Sequence, residues 1–178
     1  MGLEELRLGC AIKQKKGLHF ILASVVSWCA ILIIHLSKLP ISTKNLFTFY
    51  ATAPVVPLAF FISKIIKVDF QNKENPLNKL GVLFSVNQML YLLIAMWVYP
   101  NIPQKMLMVI AIIFGAHLLP YSWLYKSKSY GVLSFIIPIL SLVVGINFKP
   151  YIIALMMILI EILFSVSLII ENKSLSKG

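Results

Sequence analysis

The sequence predicts an all-α membrane protein, a polytopic bundle of six transmembrane helices with both termini on the inner side. Three observations carry that reading. Hydrophobic residues make up 60% of the 178-residue chain and charged residues only 12%, against roughly 45–50% and 25% in soluble domains. The apolar residues fall into six runs, each close to the ~20 residues that cross a bilayer core. The basic residues sort by connection: twelve of the sixteen lysines and arginines lie on one side of the alternation, as cytoplasmic loops do.

Residues 1–17 form a basic N-terminal tail ahead of the first span, Leu18–Leu36. Arg7, Lys13, Lys15 and Lys16 would suit a secretory leader. The apolar run is longer than a ~7–15-residue signal core and no small-x-small cleavage pattern follows, so it reads as a retained helix. Span two, Leu46–Ile66, carries Pro54 and Pro57 and leads into Lys67–Lys79, whose mixed charges read as a solvated inner loop. Span three is Leu80–Tyr99, span four Met106–Tyr125, span five Tyr130–Phe148 and span six Tyr151–Ile170, with residues 171–178 as the inner C-terminal tail. The membrane domain is thus 18–170. No stretch outside it is long enough to bury a core of its own, so function belongs to the bundle or its rims. Trp97 and Tyr99 at an outer boundary, and Trp123, Tyr125 and Tyr130 at an inner one, sit where amphipathic rings prefer to lie.

The net charge of +10 follows from this topology. Its natural partner is a bilayer with anionic headgroups on the inner side, not nucleic acid. Cys10 and Cys29 fall at different depths and lack ligand spacing, so neither a disulfide nor a metal site is expected, and no cofactor is implied.

Helices in lipid meet through small and weakly polar residues. Span five shows the clearest stripe, Gly131, Ser134, Pro138, Ser141 and Gly145, which reads as packing first. Span three aligns Gly81, Ser85, Gln88, Ala95 and Tyr99 on one face, and span six aligns Ala154, Glu161 and Ser165.

Four strongly polar side chains fall near the midplane: Asn87, Gln88, His117 and Glu161. Such residues are costly in lipid, so they face inward and find partners. Two readings are open. They form a substrate or proton site, or they are interhelical glue, with Glu161 hydrogen-bonded across helices. His19 and His35, near span ends, are expected to reach water. Pro54, Pro57, Pro120 and Pro138 are candidate helix kinks, and helices interrupted at corresponding places in two halves point to a transporter's binding site. An offset of 63 aligns Lys16 with Lys79, Pro40 with Pro103, Ala53 with Ala116 and Pro57 with Pro120. That is either a tandem duplication of a helical hairpin, spans one–two and three–four, or chance agreement between apolar sequences.

There is no H-E-x-x-H, no G-x-S-x-G, no paired acidic motif and no Gly-rich phosphate loop. Catalytic residues are therefore not assigned, although His117 and Glu161 could serve as acid and base. The stretch Phe114–Lys128 (FGAHLLPYSWLYKSK), with Asn75–Gly81 (NPLNKLG), resembles a family of small, uncharacterised bacterial multi-pass membrane proteins classed as a domain of unknown function. The resemblance implies a bacterial cytoplasmic membrane and no chemistry. The leading expectation is a small transporter or permease-like protein with a midplane site. The alternative is a non-catalytic membrane partner, such as a substrate-capture subunit or an immunity or accessory protein. The expected protein partner is another membrane protein or further copies of the chain in a homo-oligomer.

Overall fold

The computed structural model describes residues 2–175, and among them every regular element is helical. Nine α-helical segments follow one another: α1 Leu3–Lys13, α2 Leu18–Leu36, α3 Ile41–Thr52, α4 Val55–Ile65, α5 Asn78–Asn101, α6 Met106–Ala116, α7 Leu118–Leu124, α8 Lys128–Asn147 and α9 Pro150–Leu175. Joined across their interruptions, α2 through α9 make six helices long and apolar enough to cross a membrane. This marks the chain as a multi-pass membrane protein. Span one coincides with α2, and span four matches α6–α7 to within one residue. Helices α5 and α9 run beyond spans three and six at both ends, while α3–α4 and α8 begin earlier than spans two and five and stop one residue short.

The segment read as an N-terminal tail folds as α1. Glu4 and Glu5 in its first turn and Lys13 in its last suit the helix dipole. Arg7 holds it in place: Nε and Nη2 donate to the Trp123 carbonyl at 2.9 and 2.6 Å, and the guanidinium stacks 4.5 Å from the Trp123 ring centroid. Glu4 bridges to Lys126 and Lys13 to Glu74. The 67–79 connection is not a solvated loop throughout, because it folds beneath α1. Asn72 is fully buried, and the Asn75 side-chain amide donates to the Leu6 carbonyl at 2.7 Å.

Between α1 and α2 the chain turns through Lys15, Lys16 and Gly17, all at positive φ. Long-range bonds secure that turn: Tyr130 donates to the Lys16 carbonyl, Asn172 donates to the Lys15 carbonyl, and the buried Lys16 ammonium meets Glu171 at 2.6 Å. Gly17 is required here, since at φ +70 a Cβ would also lie 2.9 Å from the Tyr130 hydroxyl. These contacts draw the end of α9, read as tail beyond Ile170, into the fold. They also bring the first and last described segments to one end of the bundle. Lys177, counted among the inner charges, lies outside the described residues.

The core runs where α9 packs along α2 and α8 along α6. The small stripe of α8 is spent there: Ser134, Ser141 and Gly145 are buried, and a Cβ on Gly115 of α6 would strike Pro138 and Ile137 at 2.6–2.7 Å. Pro138 does not interrupt α8, which runs unbroken from Lys128 to Asn147. Instead its ring fills the notch opened by Gly115. Pro57 and Pro120 do mark breaks, at Ala53–Pro54 and at His117. Each proline is the third residue of the following segment, where its missing N–H costs no helical bond. Its ring presses on the carbonyl four residues back, Ala53 or Ala116, which is where the preceding helix stops.

Candidate functional site

The two interruptions face a common space. A cavity of about 510 Å³ lies among α2, the α3–α4 break, α5 and the α6–α7 break. Thr52, Ala53 and Val55 line it from one break, and His117 and Leu118 from the other. Volumes of roughly 300–1,000 Å³ are typical of small-molecule sites. The walls are mostly apolar and aromatic, with a few polar groups: the hydroxyls of Ser24, Ser27 and Ser85, the Gln88 amide and the His117 ring.

His117 sits in its break with Nδ1 donating to the Phe114 carbonyl one turn back. That bond fixes the ring and leaves Nε2 as the nitrogen available to a ligand. Aromatic rings follow the same helical face at positions 114, 117, 121 and 125, each meeting the next at 5.3–5.8 Å between centroids. Tyr121 donates to the Gly81 carbonyl at 2.8 Å and lies 2.6 Å from the Ser85 hydroxyl, tying α7 to α5.

Two features adjoin the cavity. A second space of about 300 Å³, lined by Gln14, Phe70, Lys73 and Asn78 at the α1 end, shares Phe20, Ser85, Tyr121 and Tyr125 with the first. It forms a vestibule behind that ring of side chains. Sideways, α3 meets α5 but α4 scarcely touches it. Val56 of α4 and Met89 of α5 line the cavity while being 49% and 61% exposed on the bundle surface. The cavity therefore reaches the lipid-facing exterior between α4 and α5.

The structure separates the four midplane residues. His117 and Gln88 line the cavity, Asn87 is exposed on the outer face of α5, and Glu161 is fully buried on α9. Adjacent residues on a helix point about 100° apart, which divides Asn87 from Gln88. Glu161 lies against the Ser24 hydroxyl, but neither carboxylate oxygen completes a hydrogen bond with the described residues. It does not pair with His117, and the polar group it meets across helices is the Ser24 hydroxyl of α2. Ser24 stands between the carboxylate and the cavity, touching both. Among the described residues no group of acids, histidines and cysteines could hold a metal.

Sequence reasoning missed two further placements. His19 and His35 do not reach water. His19 is 1% exposed, packed on Phe20 and Phe70, with neither ring nitrogen hydrogen-bonded. His35 is buried against Thr48 at 3.1 Å. In both cases a neighbouring segment folds over the helix end, which depth along the span does not reveal.

Residues 3–171 match the family of unknown function DUF7010. The chain belongs to that family. The match covers nearly the whole chain, so the cavity, both helical breaks and α1 all lie within the DUF7010 region, as do the FGAHLLPYSWLYKSK and NPLNKLG stretches that suggested such a family. No curated protein and no solved structure matches the chain. The DUF7010 site must therefore be read from its own chemistry.

Proposed function

We propose that this protein is a small carrier of a bacterial cytoplasmic membrane that binds a largely apolar solute in the cavity at the His117 break. Both termini face the cytoplasm, since the α1 end gathers Arg7, Lys13, Lys16, Lys73 and Lys126, a distribution expected beside anionic inner-leaflet headgroups. The observation that carries the reading is the intramembrane cavity itself, flanked by two interrupted helices, with a vestibule behind its wall at the basic end. Interrupted helices about a midplane site are how many carriers bind solute. The matching breaks at an offset of 63 support a duplicated hairpin as the origin of the site. His117 and Gln88 supply the polar contacts. Burial of the α8 small stripe inside the bundle favours a carrier over a docking partner for another membrane protein.

Labelling and phenotype test this together. In inside-out vesicles a water-soluble maleimide should modify Gln88→Cys and Ser85→Cys through the vestibule and spare Asn87→Cys, which faces lipid. Cells expressing the protein should differ from non-expressing cells in tolerance to a panel of hydrophobic toxicants, and His117→Phe should abolish the difference. Equal labelling at 87 and 88, or a folded His117→Phe that behaves as wild type, would refute the carrier.

A further inference from the structure

The carrier reading leaves the solute's charge open, and the cavity walls address it. We propose that the ligand is an apolar organic cation, a quaternary ammonium, phosphonium or bulky protonated amine. The inference rests on the cavity being a binding site.

Two independent features point to positive charge. The first is the wall. Phe20 and Trp28 of α2, Phe49 of α3, and Phe114, Tyr121 and Tyr125 along α6–α7 all line the cavity. Neighbouring rings stand nearly perpendicular, 88° between Trp28 and Phe114 and 82° between His117 and Tyr121, so faces and edges turn in several directions around one space. Ring faces carry negative quadrupole potential and attract cations, most strongly when water is excluded. Recognition of quaternary ammonium groups uses aromatic cages of this kind. No charged side chain lines the cavity, and the nearest basic residue along the path, Lys73, belongs to the vestibule.

The second feature is Glu161. A cation bound nearby would favour the ionised form of this fully buried acid, whose oxygens complete no hydrogen bond among the described residues. None of the salt bridges among the described residues involves it. The Ser24 hydroxyl lies against the carboxylate and also faces the cavity. It can pass the carboxylate's influence to a bound cation through one polar group. An anionic ligand would meet the opposite: aromatic faces, a buried acid and no basic donor. Entry between α4 and α5 suits a molecule already dissolved in the membrane.

Isosteric ions of opposite charge test the proposal on the full-length protein in detergent micelles. Equilibrium dialysis against protein-free micelles should show saturable binding of tetraphenylphosphonium at one site per chain, at least about tenfold tighter than tetraphenylborate. Trp28→Leu should weaken the phosphonium about tenfold while Trp28→Phe retains most of it, and Glu161→Gln should weaken it by a similar factor. Borate binding as tightly as phosphonium, or unchanged phosphonium affinity in Glu161→Gln, overturns the cation assignment while leaving the cavity as a site. Saturable binding of neither ion by the folded wild type overturns the assignment and the carrier together. Should Trp28→Leu fail to fold, the phosphonium-to-borate ratio on wild type still decides.

Discussion

Replacing Glu161 with methionine is expected to make the protein more stable. An acidic side chain near the bilayer centre costs about 2.5–3.5 kcal/mol on insertion scales, and here the cost is not recovered. The carboxyl is fully buried, and neither oxygen has a hydrogen-bond partner among the described residues. Methionine fills nearly the same volume without polar atoms, and such swaps lose less than about 1.5 kcal/mol in packing. The site sits between Met157 and Phe164 on the buried face of α9, which a flexible thioether can fit. The difference is a gain of about 1–3 kcal/mol. At about 2–4 °C per kcal/mol for a chain of this size, the unfolding midpoint in detergent should rise by about 2–12 °C. Glutamine, which removes the charge but keeps an unpartnered polar group, should fall between methionine and glutamate. Intrinsic tryptophan fluorescence during a thermal ramp measures all three. A methionine variant that melts below wild type would show the carboxyl to be bonded in the fold, and the reasoning would fail.

Packing makes a sharp prediction at Gly115, where an added Cβ would lie 2.6 Å from Pro138 Cδ and 2.7 Å from Ile137 Cβ and Cγ2, against a comfortable 3.5–4.0 Å. Gly115→Ala should lose up to about 2 kcal/mol, overpacking of about 1–3 set against the ~1 gained in helix propensity. Gly81→Ala, which meets only a Leu124 methyl at 3.2 Å, should be neutral or stabilising, and equal midpoints for the two would contradict the packing. Lys16 and Glu171 should couple by about 1–3 kcal/mol in a double-mutant thermal-unfolding cycle. That is below the 3–5 of a fully buried pair because Glu171 is a fifth exposed, and strict additivity would remove the pair from the account. Acid should loosen α1. Hydrogen bonds from Lys126, and then from Arg7, hold Glu4 below the usual carboxylate range. Its contribution is complete above the unfolded-state value and disappears as pH falls through the folded one. Protection factors of the α1 amides, exchange rates normalised to the intrinsic rate at each pH, should therefore fall at acid pH in wild type and be low already at neutral pH in Glu4→Gln; pH-independent protection in wild type would argue against the bridge.

What the sequence disclosed and withheld follows from what each signal measures. Run length is a one-dimensional property, and the six apolar helices were legible from it; α2 agrees to the residue because Gly17 and Ser37 bound it. Periodicity was nearly as informative. The face of span three through Ser85 and Gln88 does line the cavity, and that of span six through Ala154, Glu161 and Ser165 is buried. Partnership between faces was not legible. His117 and Glu161 share a depth, yet one belongs to the cavity wall and the other to the α2–α9 seam, because a single chain does not say which helices are neighbours. For α1 the failure is different. Its residues are of mixed polarity, and what makes it part of the fold is Arg7 reaching Trp123 across 116 positions, a contact with no local trace. Proline was legible as a breaker only where the neighbourhood agreed. Pro57 and Pro120 stop the helices before them, whereas Pro138 meets the notch at Gly115 and its helix runs on.

The distribution of cavity residues among the helices carries the site one step further. The walls come from α2 with α3–α4 and from α5 with α6–α7, the two hairpins of the proposed repeat. From the last two helices only Tyr130, at the start of α8, reaches the cavity, and α9 contributes nothing. Those helices are spent on buttressing: α9 lies along α2, and α8 lies along α6 and α7 with its small residues buried. A helix broken at membrane depth is tolerated where its freed backbone groups face protein or a cavity and not lipid, and both breaks satisfy that condition at the same cavity. Two breaks 63 residues apart thus open on one cavity, between the continuous walls α2 and α5. In the proposed carrier the first four spans would enclose the solute while the last two hold them in place.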